Sequence, residues 1–246
     1  MYVKAIKHFI QKTNFKIFKY NGVCVVSCFV CNFFFPYSLL SFTFTTCLPQ
    51  IQPKCHQYES HALLQFKEGF VINNLASDDL LGYPKTSSWN SSTDCCSWDG
   101  IKCHKHTDHV IHINLSSSQL YGTMDANSSL FRLVHLRVLD LSDNNFNYSK
   151  IPTKIGELSQ LKFLNLSLNL FSGEIPRQVS QLSKLLSLDL GFRAIVRPKG
   201  STSNLLQLKL SSLRSIIQNS TKIEILFLSF VTISSTLPDT LTNLTS

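Results

Sequence analysis

LRVLDLSDNNF, residues 136–146, decides the fold of this chain because the sequence repeats it. A close copy, LKFLNLSLNLF, occupies residues 161–171, and weaker copies lie at 110–120, 185–193 and 222–233. The centre of each copy alternates apolar residues as L-x-L, the period of a short strand with its apolar side chains on one side. The repetition therefore predicts a stack of similar units, each contributing one strand.

The spacing of the copies identifies the kind of repeat. The first core residues are Ile113, Leu139, Leu164, Leu188 and Leu226, at intervals of 26, 25, 24 and 38 residues. A period in the twenties with the pattern L-x-x-L-x-L-x-x-N is the leucine-rich-repeat signature. One repeat cannot bury its apolar side alone, so repeats stack. We expect an α/β solenoid, a right-handed leucine-rich-repeat superhelix with short parallel strands on its concave face.

Asparagines follow two of the strands. Asn144 and Asn169 occupy the turn position, where an amide can donate to and accept from backbone groups of adjacent coils. We predict a structural asparagine ladder at these two residues. Ser118, Arg193 and Val231 stand at the equivalent positions, and the last two should interrupt the ladder.

Further along each repeat, an apolar residue precedes proline at 151–152, 175–176 and 237–238. Leucine then recurs every third residue in GELSQL (156–161) and SQLSKL (180–185), which favours a short 3₁₀-like or a loose helical turn on the convex side.

The long interval between Phe192 and Lys222 fits two arrangements. Leu208 and Leu210 belong to an extra strand inside one repeat of 38 residues, or residues 191–204 form a loop insertion.

Residues 48–108 are predicted to cap the first coil, whose apolar surface would otherwise be exposed. ESHALLQFKEGF (59–70) has helical apolar spacing, with Ser60 as the N-cap. The cap holds four cysteines: Cys55, Cys95, Cys96 and Cys103. A bond between adjacent cysteines is strained, so we expect each of the central pair to take a different partner. Cys96–Cys103 closes a short loop, and Cys55–Cys95 ties the start of the cap to its end.

A zinc site is the alternative use of these cysteines. CHKHTDHVIH (103–112) adds His104, His106, His109 and His112 to Cys103. The sequence lacks C-x-x-C and the usual zinc-finger spacings, so we favour disulfides and expect neither metal nor cofactor.

The N-terminal leader carries much of the net charge of +8. Residues 1–47 contain five lysines and no acidic residue, which leaves 18 basic and 15 acidic residues beyond. That near balance argues against a nucleic-acid-binding protein.

Basic residues 1–21 and the apolar run 23–35 predict a signal peptide spanning 1–47, cleaved near Cys47–Leu48. The alternatives are an uncleaved signal anchor and a misassigned start codon. The signal peptide and the signal anchor both place the chain beyond residue 50 outside the cell.

Seven N-x-S/T sequons predict N-glycans in the secretory pathway. They are at Asn90, Asn114, Asn127, Asn147, Asn165, Asn219 and Asn243. Asn114 and Asn165 lie at the outward position of L-x-L.

The cap ESHALLQFK…SWN…DCCSWDGIKC resembles the N-terminal domain of plant extracellular leucine-rich-repeat proteins. The stretches 115–152 and 218–235 are most similar to receptor-like proteins of the tomato Cf disease-resistance type. The resemblance covers about residues 55–246 and implies the same two disulfides, Cys55–Cys95 and Cys96–Cys103.

It also implies a plant immune receptor-like protein at the plasma membrane, with its solenoid in the apoplast. Such proteins bind pathogen-derived or peptide ligands, signal through membrane receptor kinases and have no catalytic domain. Alternatives from the same superfamily are a secreted polygalacturonase-inhibitor-like protein and the ectodomain of a receptor kinase.

Residues 109–246 hold about five or six repeats and stop within one, so we expect a truncated chain without signalling parts. No arrangement of residues typical of an enzyme is found. A ligand should meet outward side chains of the concave face, for which the candidates are Asn114, Asp140, Ser142, Asp143, Lys162, Asn165, Asp189 and Phe227.

Overall fold

The computed structural model describes residues 15–20, 23–28, 54–192 and 206–233. The chain divides into two units, Met1–Gln52 and Pro53–Ser246. In the first unit, β1 (Phe15–Tyr20) pairs antiparallel with β2 (Val23–Cys28). Within the described ranges no helix has the length and apolar character needed to cross a membrane.

Several sequence-based expectations fall outside the described residues. The predicted cleavage site near Cys47–Leu48, Arg193, the Leu-Pro pair at 237–238 and Asn243 are among them. The leader and the domain boundaries therefore remain predictions.

Over residues 54–192 and 206–233, the second unit consists of short strands, two α-helices and six 3₁₀ helices. The strands are β3 (Phe70–Ile72), β4 (Ile101–Cys103), β5 (Val110–Asn114), β6 (Leu120–Gly122), β7 (Val138–Asp140), β8 (Phe163–Asn165), β9 (Gly173–Glu174), β10 (Ser187–Asp189), β11 (Leu206–Leu208), β12 (Ile225–Phe227) and β13 (Thr232–Ile233). The helices are α1 (Gln57–Glu68), α2 (Leu210–Asn219), η1 (Asn74–Ala76), η2 (Lys85–Ser88), η3 (Cys95–Ser97), η4 (Ser129–Arg132), η5 (Thr153–Glu157) and η6 (Arg177–Gln181).

The concave sheet has the strand order β12-β10-β8-β7-β5-β4. All neighbours are parallel except β4 and β5, because β4 belongs to the cap and returns antiparallel. The register places the five predicted core residues opposite one another: Ile113, Leu139, Leu164, Leu188 and Leu226. The first four are fully or almost fully buried. Burial of each such side chain stabilises the fold by about 1.5–3 kcal/mol. The alignment of these residues across the strands confirms the predicted solenoid.

A second sheet, β13-β11-β9, runs beside the turns and resolves the long repeat. Gln207 of β11 pairs with Glu174 of β9. Gln207 lies 19 residues after Leu188, whereas Glu174 lies 10 after Leu164. The long repeat therefore has nine more residues than the preceding one before this pair. It gains five more in α2, which has ten residues where η6 has five. The interval is thus one enlarged repeat.

This arrangement corrects one expectation. Strand β11 ends at Leu208 and is the equivalent of β9 in the next coil, so it is not an additional strand, and Leu210 begins α2.

The convex turns also begin earlier than predicted. η5 and η6 start immediately after Pro152 and Pro176, which are their N-caps with φ of −65° and −66°. Proline fixes this φ, so it sets the start of each turn. The leucine triplets contribute buried side chains after the turn has begun, at Leu158, Leu161, Leu182 and Leu185.

The asparagine ladder is present at the predicted residues. Nδ2 of Asn144 donates to the carbonyls of Leu115, Leu141 and Ser142 at 2.8, 2.8 and 3.1 Å. Its Oδ1 accepts from the Leu120 amide at 2.9 Å. Asn169 accepts from the Asn144 amide at 2.9 Å. Asn144 therefore links the coils on either side of it.

The cap contains the two expected disulfides, Cys55–Cys95 and Cys96–Cys103, with Cα–Cα distances of 5.5 and 5.4 Å. Trp89 and Trp98 stack beside them with centroids 5.5 Å apart. Helix α1 starts at Gln57 with His56 as its N-cap, four residues before the expected N-cap Ser60.

Candidate functional site

One row of side chains on the concave sheet comes from the central x of each L-x-L core. It consists of Asn114, Asp140, Asn165, Asp189 and Phe227, which are register partners on adjacent strands. Adjacent strands lie about 4.8 Å apart, so a ligand about 20 Å long could contact all five. We call this set the concave row.

The polar members of the concave row share a local geometry. Oδ1 of Asp140 accepts from the amide and hydroxyl of Ser142, at 3.0 and 2.7 Å. Asn114 binds Ser116 and Asn165 binds Ser167 in the same way. Such turns fix the χ angles of the Asx residue. In the described part of the chain, the second carboxylate oxygen of Asp140 and Nδ2 of Asn165 have no hydrogen-bond partner. These fixed polar atoms are available to a ligand.

Lys85 closes the concave row at the cap. Its Nζ donates to Oδ1 of Asn114 at 3.1 Å and to the carbonyl and hydroxyl of Ser116 at 2.7 and 3.2 Å. Burial lowers the pKa of Lys85, while Asp99, Asp140 and Asp79 oppose that shift. Sequence reasoning missed Lys85, because only the folded cap brings it to the first strand.

A second, more apolar row lies two residues earlier on these strands, on the same outward side. Phe163 and Ile225 are exposed there, and Ser187 lies between them in register. The same alternation that identified the concave row also marks these residues as outward. Exposed aromatic and aliphatic side chains on a rigid sheet are suited to contact with apolar groups of a partner.

The concave row ends at a hollow of about 240 Å³ lined by Asp189, Phe227, Ser167 and Ser229. Burial raises the pKa of Asp189; the Gly191 amide opposes this and the charge of Asp140 adds to it. Phe227 is 55% exposed. A carboxylate beside an exposed aromatic ring suits a cationic side chain, since both attract positive charge.

Asp143 corrects the list of outward candidates. Its carboxylate accepts from the hydroxyls of Ser77 and Ser117 at 2.5 and 2.7 Å and from the Asp78 and Asp79 amides at 2.9 and 3.3 Å. Burial opposes its ionisation, but these hydrogen bonds prevail and lower the pKa. Asp143 is buried and joins the cap to the solenoid, so a ligand on the concave face does not meet it.

The other predicted residues are accessible. Ser142 is half-buried beside Asp140, and Lys162 is exposed just before β8. Among the sequons, Asn90, Asn127, Asn147 and Asn219 are exposed, whereas Asn114 and Asn165 are half-buried within the sheet.

The histidines proposed as zinc ligands do not converge. His109 stacks instead on His56 and His135, with centroids 4.2 and 3.7 Å apart. Among the described residues one group of potential ligands lies close together, formed by Cys55, Asp94, Cys95 and Cys96. Its sulfurs are in disulfides, so they cannot act as thiolate ligands.

Comparison with known proteins supports the repeat architecture. A leucine rich repeat N-terminal domain model matches residues 56–104, and a Leucine Rich Repeat model matches 135–158 and 160–182. Receptor-like protein 6 of Arabidopsis thaliana is 43% identical over 147 residues, 56% of this chain and 15% of that protein. Receptor-like protein Cf-9 of Solanum pimpinellifolium is 39% identical over 193 residues, 75% of this chain and 21% of that protein. In these regions the chain is similar to leucine-rich-repeat receptor-like proteins of plants.

The chain spans 15% and 21% of the length of these two curated relatives. Among solved structures, a plant ice-binding protein is 26% identical with a TM-score of 0.58, covering 77% of this chain and 53% of that one. The BIR3–SERK2 complex from Arabidopsis thaliana gives 27% identity and a TM-score of 0.53, covering 73% of this chain and 85% of that one. Both agree with the solenoid described above.

Proposed function

We propose that residues 54–233 act as part of an extracellular ligand-recognition domain of a plant cell-surface immune receptor-like protein. The concave row carries this proposal, because it holds polar groups in fixed positions across four strands and ends at the hollow of Asp189 and Phe227. Similarity to receptor-like proteins, Cf-9 among them, supports the assignment.

The domain binds and does not catalyse. Its partners are a pathogen-derived or peptide ligand and, in the full-length protein, membrane receptor kinases. It needs no cofactor, carries N-glycans and reaches the plasma membrane or apoplast through the secretory pathway. The relatives named above favour this function over that of a polygalacturonase inhibitor.

The surface chemistry narrows the ligand. Asp140 and Asp189 supply negative charge, while Phe163, Ile225 and Phe227 supply apolar contact. A peptide with a lysine or arginine near an apolar residue matches this pattern better than an acidic or wholly polar one.

Peptide selection tests the proposal. A library of random dodecamers displayed on phage is selected on the secreted, glycosylated protein. We expect enrichment of sequences that combine a basic and an apolar residue, with at least tenfold weaker binding to Asp189→Asn and Phe227→Ala. Lys184→Gln, a change at an exposed residue outside the concave row, should bind like wild type. Equal binding by all four proteins would contradict the proposal.

A further inference from the structure

A groove of about 570 Å³ lies where the second sheet meets the convex helices, a surface separate from the concave row. Three successive coils line it, through Lys150 and the starts of η5, η6 and α2. Ile151 and Pro176 are buried residues that form its apolar floor. The groove is therefore built by the repeat itself, at equivalent positions of adjacent coils.

The rim of the groove is positively charged. Lys150, Arg177 and Lys209 are all exposed there. Lys209 pairs with Glu174, with Nζ and Oε2 2.7 Å apart. Within the ranges that the structure describes, Lys150 and Arg177 have no acidic partner. Lys150 also lies across Gly173, where an added Cβ would come 3.4 Å from its Cγ. Two cations on the rim thus remain free to pair with carboxylates.

Uncompensated hydrogen-bonding groups face the same groove. Ser212 is only 5% exposed and lines the groove, yet its hydroxyl has no hydrogen-bond partner among the described residues. Within the described residues the buried side-chain atom without a partner is Nδ2 of Asn169, so the Ser212 hydroxyl is open to the groove and can donate to a ligand atom there. Ser212 is in the first turn of the ten-residue helix α2, whose N-cap Lys209 makes no side-chain capping bond. Free amides at that helix end also favour an anion.

We propose that this groove binds an acidic peptide segment of a partner protein, with carboxylates on Lys150 and Arg177 and at the start of α2. The apolar floor would take an aliphatic side chain between two acidic ones. No lining residue in the described part of the chain is aromatic, so the groove lacks the ring on which a sugar would stack. That absence favours a peptide over an acidic oligosaccharide.

Fluorescence anisotropy of the full secreted chain with a labelled peptide, Glu-Leu-Glu-Glu-Leu-Glu, tests the charge requirement. The double variant Lys150→Gln/Arg177→Gln should weaken binding at least tenfold, and raising salt from 50 to 200 mM should weaken wild type more than the variant. Lys184→Gln removes an exposed lysine outside the groove and should change affinity less than twofold. Equal losses in both variants would mean non-specific attraction and overturn the proposal.

Ser212→Ala separates binding from folding. Removing a hydroxyl that bonds no other described protein group should leave the thermal midpoint unchanged, while peptide affinity falls at least threefold. An unchanged affinity would show that the groove does not hold the carboxylate at α2 and would overturn the proposal. An oligogalacturonate that binds more tightly than the peptide, with the same dependence on Lys150 and Arg177, would also overturn it.

Discussion

Asn144 and Asn169 show how much the two rungs of the same ladder differ. Both are buried, but Asn144 makes bonds to Leu115, Leu141, Ser142 and Leu120, whereas Asn169 accepts one bond. Within the described residues, Nδ2 of Asn169 has no partner. The pattern L-x-x-L-x-L-x-x-N predicts where both asparagines lie. The number of hydrogen bonds that each side chain makes depends on the neighbouring coil.

Asn144→Ala should therefore destabilise the protein more than Asn169→Ala. Losing the Asn144 side chain leaves buried carbonyls and an amide unpaired, and we expect a loss of about 2–4 kcal/mol in the free energy of unfolding. The matched change at Asn169 should cost about 1 kcal/mol. Urea unfolding followed by tryptophan fluorescence measures both values. Equal losses would contradict the bonding described above.

The stacked rings of His56, His109 and His135 predict a pH-dependent cap. Burial and the neighbouring His109 lower the pKa of His135, with His56 and Arg137 adding to the effect and Glu59 opposing it. Glu59 is fully buried, accepts from the Val110 amide at 3.0 Å and lies 3.3 Å from His109. Tyr58 also contacts His109, at 3.2 Å.

The sign of the effect follows from linkage. A histidine whose folded pKa is lowered binds protons better when unfolded, so stability falls as pH drops below the ordinary value of about 6.5. Between pH 7.5 and pH 5, the thermal unfolding midpoint should fall less for His135→Gln than for wild type. His61→Gln, at an exposed site on α1, should behave like wild type. A fall of the midpoint in His135→Gln as large as in wild type would refute this role.

At the scale of elements, local patterns predict the concave strands and long-range pairing determines the rest. The alternation around Leu139 and Leu164 gives the register directly, because each strand carries the same signal. β9 and β13 have two residues each and are defined only by pairing with β11. The position of Lys85 likewise depends on contacts 29–31 residues away. Such contacts leave no periodic trace in one sequence.

The two disulfides should contribute unequally to the stability of the cap. Cys55–Cys95 spans 40 residues and Cys96–Cys103 spans seven. In the chain-entropy model their loops correspond to about 4 and about 2.4 kcal/mol. Cys55→Ala/Cys95→Ala should therefore lower the denaturation midpoint further than Cys96→Ala/Cys103→Ala.

Thiol titration of the denatured proteins checks that each variant keeps its other disulfide. If the short loop proved the more stabilising, native contacts of η3 and β4 would outweigh loop entropy and the entropic account would fail.

At the scale of the whole molecule, one repeated unit produces two different surfaces. The L-x-L cores build the concave row, with Asp140 and Asp189 on it. The Pro-containing turns place Lys150 and Arg177 at a groove whose charge is opposite to that of the concave row. The enlarged repeat contributes to both, through β12 and α2. A solenoid of this kind can hold two ligands of opposite charge without competition between them.

Site-specific photo-crosslinking tests the central claim, recognition at the concave row, most directly. Phe227→benzoylphenylalanine and, as a control, Leu80→benzoylphenylalanine place the same reactive group at two exposed sites, the second in the cap and 100% exposed. Each protein is irradiated with the basic, apolar peptide selected on wild type. We predict a crosslink from position 227 and none from position 80. A crosslink from position 80 alone would contradict the claim.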